Sequence, residues 1–528
     1  MADLVIRNAR IWTGDPRAPQ ATSAVIRDGR FAFVGEAREA NVAGDARTLD
    51  LGGRFVMPGF TDSHLHLLAT GLGMGAVQLK DVTSVEEAVS RVAERAAATE
   101  PGSWVTGAGW DQNLWPGAQF PNRLQLDAVA PEHPVVLTQA SGHCSWVNSA
   151  ALRAAGISSD TPAPEGGAID IDDDGEPTGI LRDNASRLIT AVMPRPSQTD
   201  RINALEEAVR HAHVLGLTCV HPMDVGRGEF QGLHALNDSG RLRLRVRPYL
   251  SQQKLDEWIE RGIMTGDGDD MLRIGGVKFF TDGALGSLTA WMFEPYEGTA
   301  ECGFPLQPME DLERDVRRCL NHGLAPAVHA IGDRANHEAL NIFERSRDLA
   351  PNLARRIEHA QLLREDDVPR FAALDVTASV QPIHATQDLH KADRSWGRRS
   401  KTAYAYSSLL AAGTTLAFSS DAPVETMDPL AGLHAAVTRR TATGTPEGGW
   451  YPEQRIGLAE GLRSYTHGPA FAVREHDRFG RIAPGYHADF VVLEADPFSI
   501  ADSMDLFRMR VAMTFVAGEA VYERGVTD

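Results

Sequence analysis

The spacing of apolar and polar positions changes character twice along the chain. Near the start, two short runs rich in apolar residues, Leu4–Trp12 and Ser23–Gly35, look like short β-strands. Asp28 and Gly29 interrupt the second run and supply the positive-φ pair that a tight hairpin turn requires. The pattern returns at Ala488–Leu493 and Val511–Tyr522. Isolated hairpins are marginal in water, so two β-rich ends predict one small β-sandwich assembled from residues 1–57 and 476–528.

The middle of the chain alternates helical spacing with apolar runs. Ala204–Leu215 is helical in period and stops at Gly216. The runs follow at Leu217–Val220, Leu244–Leu250, Ile274–Phe280, Ala325–Ala330, Arg356–His359, Val376–Val380 and Thr415–Phe418. With the run ahead of His64, they make eight strand candidates. Repeated βα units predict an α/β fold with a parallel sheet. Eight of them predict a TIM-like (β/α)8 barrel, whose chemistry sits at the C-terminal strand ends. The first strand and its loop fall at 58–71 and the rest of the barrel at 196–475. Residues 72–195 are too many for one crossover and are expected to form an inserted α+β subdomain near the barrel mouth, because βα loops accept insertions and carry specificity. Within it, Ser84 and Glu87 have the spacing of a capping box, and Thr106–Trp115 is rich in glycine and tryptophan.

Composition narrows the function classes. The 528 residues are 43% hydrophobic and 23% charged, as in ordinary soluble domains. The net charge of −19 argues against nucleic acid or an anionic membrane as a partner, since both demand basic patches. Met1–Arg10 is charged at once, with no long apolar core, unlike a secretion signal. Cys144, Cys219, Cys302 and Cys319 are scattered without C-x-x-C spacing. A reduced, cytoplasmic protein is expected.

Candidate chemistry gathers where the strand candidates end. His64 and His66 flank Leu65 behind the first. Residues i and i+2 of a strand share a face, so the two imidazoles would converge, as two ligands of one cation must; a pair of hydrogen-bonded surface histidines is the competing reading. Lys278, His329 and His359 lie within the fourth, fifth and sixth runs, and Asp421 follows the eighth. Singly, each has a structural explanation; together, on one end of successive strands, they point to a metal site.

The set resembles the amidohydrolase superfamily over essentially the whole chain. The segments 277–287, 328–334, 357–361 and 419–423 are similar to its YtcJ-like branch, which includes N-substituted formamide deformylases. The resemblance implies that His64 and His66 bind the more buried metal and that His329 and His359 serve a second. Lys278 would be N6-carboxylated and bridge the two, and Asp421 would act as ligand and proton shuttle. The cofactor is then one or two divalent ions, zinc first, since neutral imidazoles suit zinc. A free ammonium cannot ligate a cation, so an unmodified Lys278 would mean a one-metal site. His143, Trp146 and Asn148, in a segment that resembles the family's active-site-facing insertion, are expected substrate contacts, with a structural turn as the alternative. Asp282 is expected to orient a ligand. His221 and His384 end the second and seventh runs and are weighed between pocket lining and packing.

The expected reaction is hydrolysis of a non-peptide carbon–nitrogen bond, in a linear amide such as an N-substituted formamide or N-acyl amine. Deamination or cyclic-amide hydrolysis ranks lower, because no glutamate stands beside His329. A metal-free scaffold ranks below both, because every ligand position is filled. The expected partners are a small-molecule amide and a second copy of the chain in a homodimer.

Overall fold

The structure, a computed structural model, describes residues 3–36, 46–501 and 504–526. The expected sandwich segments also contain 37–45 and 502–503, which lie outside the described residues. The chain forms two compact units, Met1–Leu68 with Leu205–Asp528, and Ala69–Ala204.

The first unit contains the barrel. Its strands are β1 (Phe60–Leu65), β2 (Leu217–Pro222), β3 in two pieces (Arg245–Val246 and Tyr249–Ser251), β4 (Gly276–Phe280), β5 (Pro326–Ala330), β6 (Arg355–His359), β7 (Val376–Val380) and β8 (Leu416–Phe418). Neighbours pair in parallel. Nearly every strand residue is buried, which is why strands such as β2, β5 and β7 read as largely apolar runs rather than alternations. Pro248 stands between the two pieces of β3, where a residue without an N–H interrupts a ladder. The ring closes where Asp421 donates its backbone N–H to the His64 carbonyl at 2.8 Å and His66 donates to Ala422 at 2.7 Å.

Two further sheets are built from the ends of the chain, the first from N-terminal strands alone and the second from both ends. One is four-stranded, in the order Arg30–Gly35, Ser23–Arg27, Leu4–Arg7, Arg47–Asp50; the other is six-stranded, in the order Glu519–Glu523, Val511–Val516, Phe490–Leu493, Phe55–Pro58, Arg10–Trp12, Gln20–Ala21. Asp28 (φ 49°) and Gly29 (φ 72°) form the turn of the first hairpin. Ile6, Ile26, Phe31, Val56, Phe490 and Phe515 belong to one buried cluster. From Phe55–Pro58 the chain enters β1 through Gly59, where a Cβ would stand 2.2 Å from Thr218 Oγ1; only glycine allows β1 and β2 to lie that close. The buried pairs Arg245–Asp489 and Arg247–Glu475 tie β3 and the segment behind it to the C-terminal part of the chain.

The second unit has its own six-stranded sheet, in the order Gly167–Ile171, Pro177–Asp183, Cys144–Val147, Val135–Gln139, Val105–Trp110, Val77–Gln78. Trp110, Trp115, Trp146 and Leu137 are buried together in its core. The Ser84 side chain caps Val85–Ala97 by accepting the Glu87 N–H, half of the reciprocal pair of a capping box. No described helix is long and apolar enough to cross a membrane.

Candidate metal centre

His64 and His66 lie at the C-terminal end of β1, and their ring nitrogens meet at one atom. Nε2 of each stands 3.4 Å from Asp421 Oδ1. The i, i+2 geometry of a strand aims both rings the same way, and the β8-to-β1 closure brings the carboxylate to them. Asp421 sits at φ +60°, an unusual conformation that Asp tolerates better than most residues. Burial opposes its ionisation, yet the neighbouring imidazoles, His66 first, hold its carboxyl well below the usual range. Donor atoms of His64, His66 and Asp421 all lie within 4.8 Å of one another.

His359 reaches the same space by a backbone device. It directly follows Glu358, so strict alternation would send one of them outward. A φ of +72° at His359 breaks the alternation, strain on the order of 1–3 kcal/mol of the kind that collects at functional sites. Its ring centroid lies 4.8 Å from that of His64 and 4.5 Å from that of His329. His359 Nδ1 is 2.9 Å from Gln381 Oε1, and Gln381 Nε2 donates to Ser419. That fixes the amide, puts the ring proton on Nδ1 and leaves Nε2 a lone pair. His359, His384 and Asp421 form a second group of donor atoms within 4.8 Å. His384 Nε2 is 4.0 Å from Asp421 Oδ2 and buried without a hydrogen-bond partner among the described residues. Such an atom costs free energy unless something binds it.

His329 is placed differently from the other three. Its Nε2 lies 3.0 Å from the Gly283 carbonyl, leaving Nδ1 as the nitrogen able to ligate. Asp282 is 3.4 Å from His329 Nε2 and accepts the backbone N–H groups of Trp291, Ile331 and Gly332. It therefore pins the loops after β4 and β5 around that imidazole.

Lys278 is 1% exposed. Burial pushes its amine down to about 8, against the pull of Glu358 and Asp421. His64 is pushed down to about 4, by burial first and Lys278 next, so it is neutral at pH 7. Its Nδ1 lies 2.6 Å from Glu358 Oε2. Glu358 stays ionised although burial opposes it, because Arg356 and His64 outweigh that cost. Sequence reading passed over Glu358, Arg356 and Gln381. The available signal was two opposite charges, two residues apart, inside a buried strand. It also passed over Asp62, which accepts backbone N–H groups from His64 and Ser420 and so links β1 to the end of β8.

In the second unit, two expected substrate contacts are corrected. Trp146 is fully buried in the core, with its indole N–H donated to the Asn122 carbonyl. Asn148 is fully buried, caps the helix Ser149–Ala154 and has both ends of its amide hydrogen-bonded within the unit. Neither side chain has a polar atom to spare for a ligand. His143 is exposed and pairs with Asp183 at 2.9 Å. His221, at the end of β2, is fully buried, with Nδ1 3.2 Å from the Arg356 guanidinium and Nε2 without a hydrogen-bond partner among the described residues.

Neutral imidazoles, an ionised carboxylate and an unpartnered ring nitrogen make up the donor set that a divalent cation takes. The sequence comparisons agree with that chemistry. A model of the amidohydrolase family matches residues 47–522. The putative amidohydrolase YtcJ of Bacillus subtilis is 32% identical across 97% of this chain and 98% of its own length. An N-substituted formamide deformylase of Arthrobacter pascens is 28% identical across 99% of both. The crystal structure of an uncharacterized metal-dependent hydrolase from Pyrococcus furiosus superposes with a TM-score of 0.79 at 32% identity, covering 94% of this chain and all of that one. This chain belongs to the amidohydrolase family, hydrolases of carbon–nitrogen bonds other than peptide bonds.

Proposed function

We propose that the protein hydrolyses a linear amide, an N-substituted formamide or N-acyl amine, with divalent metal, zinc first, as cofactor. The observation that carries this reading is the convergence of His64 and His66 Nε2 on one Asp421 oxygen, each at 3.4 Å. These three residues would hold one cation. His359 through Nε2 and His329 through Nδ1 would hold a second, and Lys278, as a carbamate, would add an anionic ligand. When bound, the cation supplies Lewis acidity that ionises water near neutral pH and polarises a carbonyl.

The chain's own groups handle the protons. Asp421, kept ionised by the imidazoles around it, takes the proton released when water oxygen bonds to the amide carbon. As the carbon–nitrogen bond breaks, it returns that proton to the leaving nitrogen. The products are a carboxylic acid and an amine. His384, on the Oδ2 side of Asp421, would bind the substrate through its unpartnered Nε2. The likeness to a formamide deformylase supports a small acyl group. Deamination has less support, since the buried glutamate nearest the imidazoles, Glu358, is engaged by Arg356 and His64.

The test is to incubate metal-replete protein with N-benzylformamide and a panel of N-acyl amines and to measure amine release. Turnover of at least one linear amide is expected. No turnover across the panel, with bound metal confirmed by elemental analysis, would overturn the reading.

A further inference from the structure

Below the imidazoles of the centre lies a charge pair that the reaction does not use. Arg356 and Glu358 flank Ile357 on β6, and both are 0% exposed. The guanidinium donates to both Glu358 oxygens, to the Ser63 carbonyl and to the Ser379 hydroxyl, and lies 4.8 Å from the centroid of the Tyr249 ring. Glu358 Oε2 in turn faces His64 Nδ1 at 2.6 Å. Apolar residues of similar volume often replace a buried ion pair without loss of stability, so stability alone does not account for one at this depth.

We propose that Arg356 and Glu358 are positioning residues that set the tautomer of His64. A neutral imidazole has one ring proton, and its two nitrogens face two different carboxylates. Glu358 lies at Nδ1 (2.6 Å) and Asp421 Oδ1 at Nε2 (3.4 Å). Whichever carboxylate holds the proton decides which nitrogen has a lone pair. The shorter bond to Glu358 draws the proton to Nδ1 and opens Nε2 to a cation. Without Glu358, Asp421 would capture the proton on Nε2 and the imidazole would be closed to metal. Arg356 fixes the Glu358 carboxylate in register and balances its charge.

The partner of His359 is neutral instead, the Gln381 amide at 2.9 Å. A carboxylate partner makes an imidazole a stronger ligand. The inference rests on the metal-centre reading and refines it: the two imidazoles are unequal donors, and the first cation to bind goes to His64.

Two measurements test this, and they separate it from the reading beneath it. In apoprotein labelled with nitrogen-15 in its histidines, long-range proton–nitrogen spectra should show His64 as the Nδ1–H tautomer. Glu358→Leu, which removes the acceptor at Nδ1, should shift it toward Nε2–H. In titrations of apoprotein with zinc or cobalt(II), Glu358→Leu should weaken the first equivalent by about 10–100-fold, whereas Gln381→Ala should weaken only the second. Glu358→Leu leaves Arg356 buried without its ion partner. The double variant Arg356→Met/Glu358→Leu removes both charges and has the same expected effects on tautomer and affinity. An unchanged tautomer in a folded variant, or an unchanged first affinity, would overturn the proposal. A wild-type protein that binds no metal while the tautomer still shifts would overturn the metal reading and leave the positioning role standing.

Discussion

Asp421 is joined to His64 twice, by its backbone N–H to the His64 carbonyl at 2.8 Å and by Oδ1 to the ring Nε2 at 3.4 Å. The first link closes the barrel and the second assembles the centre, so the same strand closure does both. A variant that keeps the backbone link but removes the charge separates the two roles. Asp421→Asn is expected to leave the circular dichroism spectrum unchanged. Turnover of an amide substrate should fall by about 10²–10⁴-fold, the usual contribution of a positioned proton carrier. Activity within tenfold of wild type, at equal metal content, would show that the proton travels elsewhere.

Acid should loosen the apoprotein before it protonates ordinary carboxylates. His64, His213 and His467 are each pushed down to about 4, mainly by burial, from an ordinary value of 6.5. Between pH 6.5 and 4 the unfolded chain binds protons that these rings refuse, so stability is fully present above 6.5 and falls as pH drops toward 4. The slope is at most about 1.4 kcal/mol per pH unit for each ring. Asp62 and Glu229, raised to about 7 by burial, work the other way across nearly all of this window, but fewer groups pull in that direction. Urea unfolding of apoprotein at pH 7 and pH 4.5 should show a lower midpoint at the acid value. An equal or higher midpoint would contradict the burial of these rings in neutral form.

Lys278 gives a pH dependence of the opposite practical use. With its amine near 8, the neutral form that can attack carbon dioxide grows as pH rises through that value. Attack forms a nitrogen–carbon bond, releases a proton and leaves a carbamate anion. At a fixed concentration of dissolved carbon-13 carbon dioxide, reconstitution of apoprotein with metal should be faster at pH 8.5 than at pH 6.5, and should produce a carbamate carbon signal that Lys278→Ala abolishes. Fully metallated, active protein without that signal would show that the lysine works unmodified.

How much of this was legible beforehand follows the range of the interactions. Most of the barrel strands could be read because they are apolar runs buried on both faces, a local property, whereas β1 and β6 bury polar and charged residues. His64, His66 and Asp421 stood out because polar residues end those runs. What stayed hidden depends on distant partners. Arg245 and Arg247 are charges in a strand candidate, neutralised by Asp489 and Glu475 from far along the chain. Glu358 is recognisable only once His64 from β1 is beside it. His359 required a left-handed backbone, which a strand pattern does not announce. Trp146 and Asn148 show the converse error: polar and aromatic residues in a motif-like segment were assigned to a ligand, whereas both are consumed by the folding of their own unit.

That correction makes its own prediction. Asn148 Nδ2 donates to the Ala130 and His133 carbonyls at 3.0 and 2.7 Å, and Oδ1 accepts from Val135 and Ala151 at 2.9 and 3.0 Å. Asn148→Ala strands these backbone groups at a fully buried position, and each orphaned group costs about 1–3 kcal/mol. Thermal unfolding should therefore begin at a clearly lower temperature, while metal content and KM stay unchanged. His143→Ala, at an exposed side chain paired with Asp183, should leave stability within about 0.5 kcal/mol of wild type. Of the three residues in this segment it alone still has ring surface to offer a ligand, so a substrate contact here would appear as a raised KM in His143→Ala. A raised KM with unchanged melting in Asn148→Ala would instead return that residue to the substrate and undo the structural assignment.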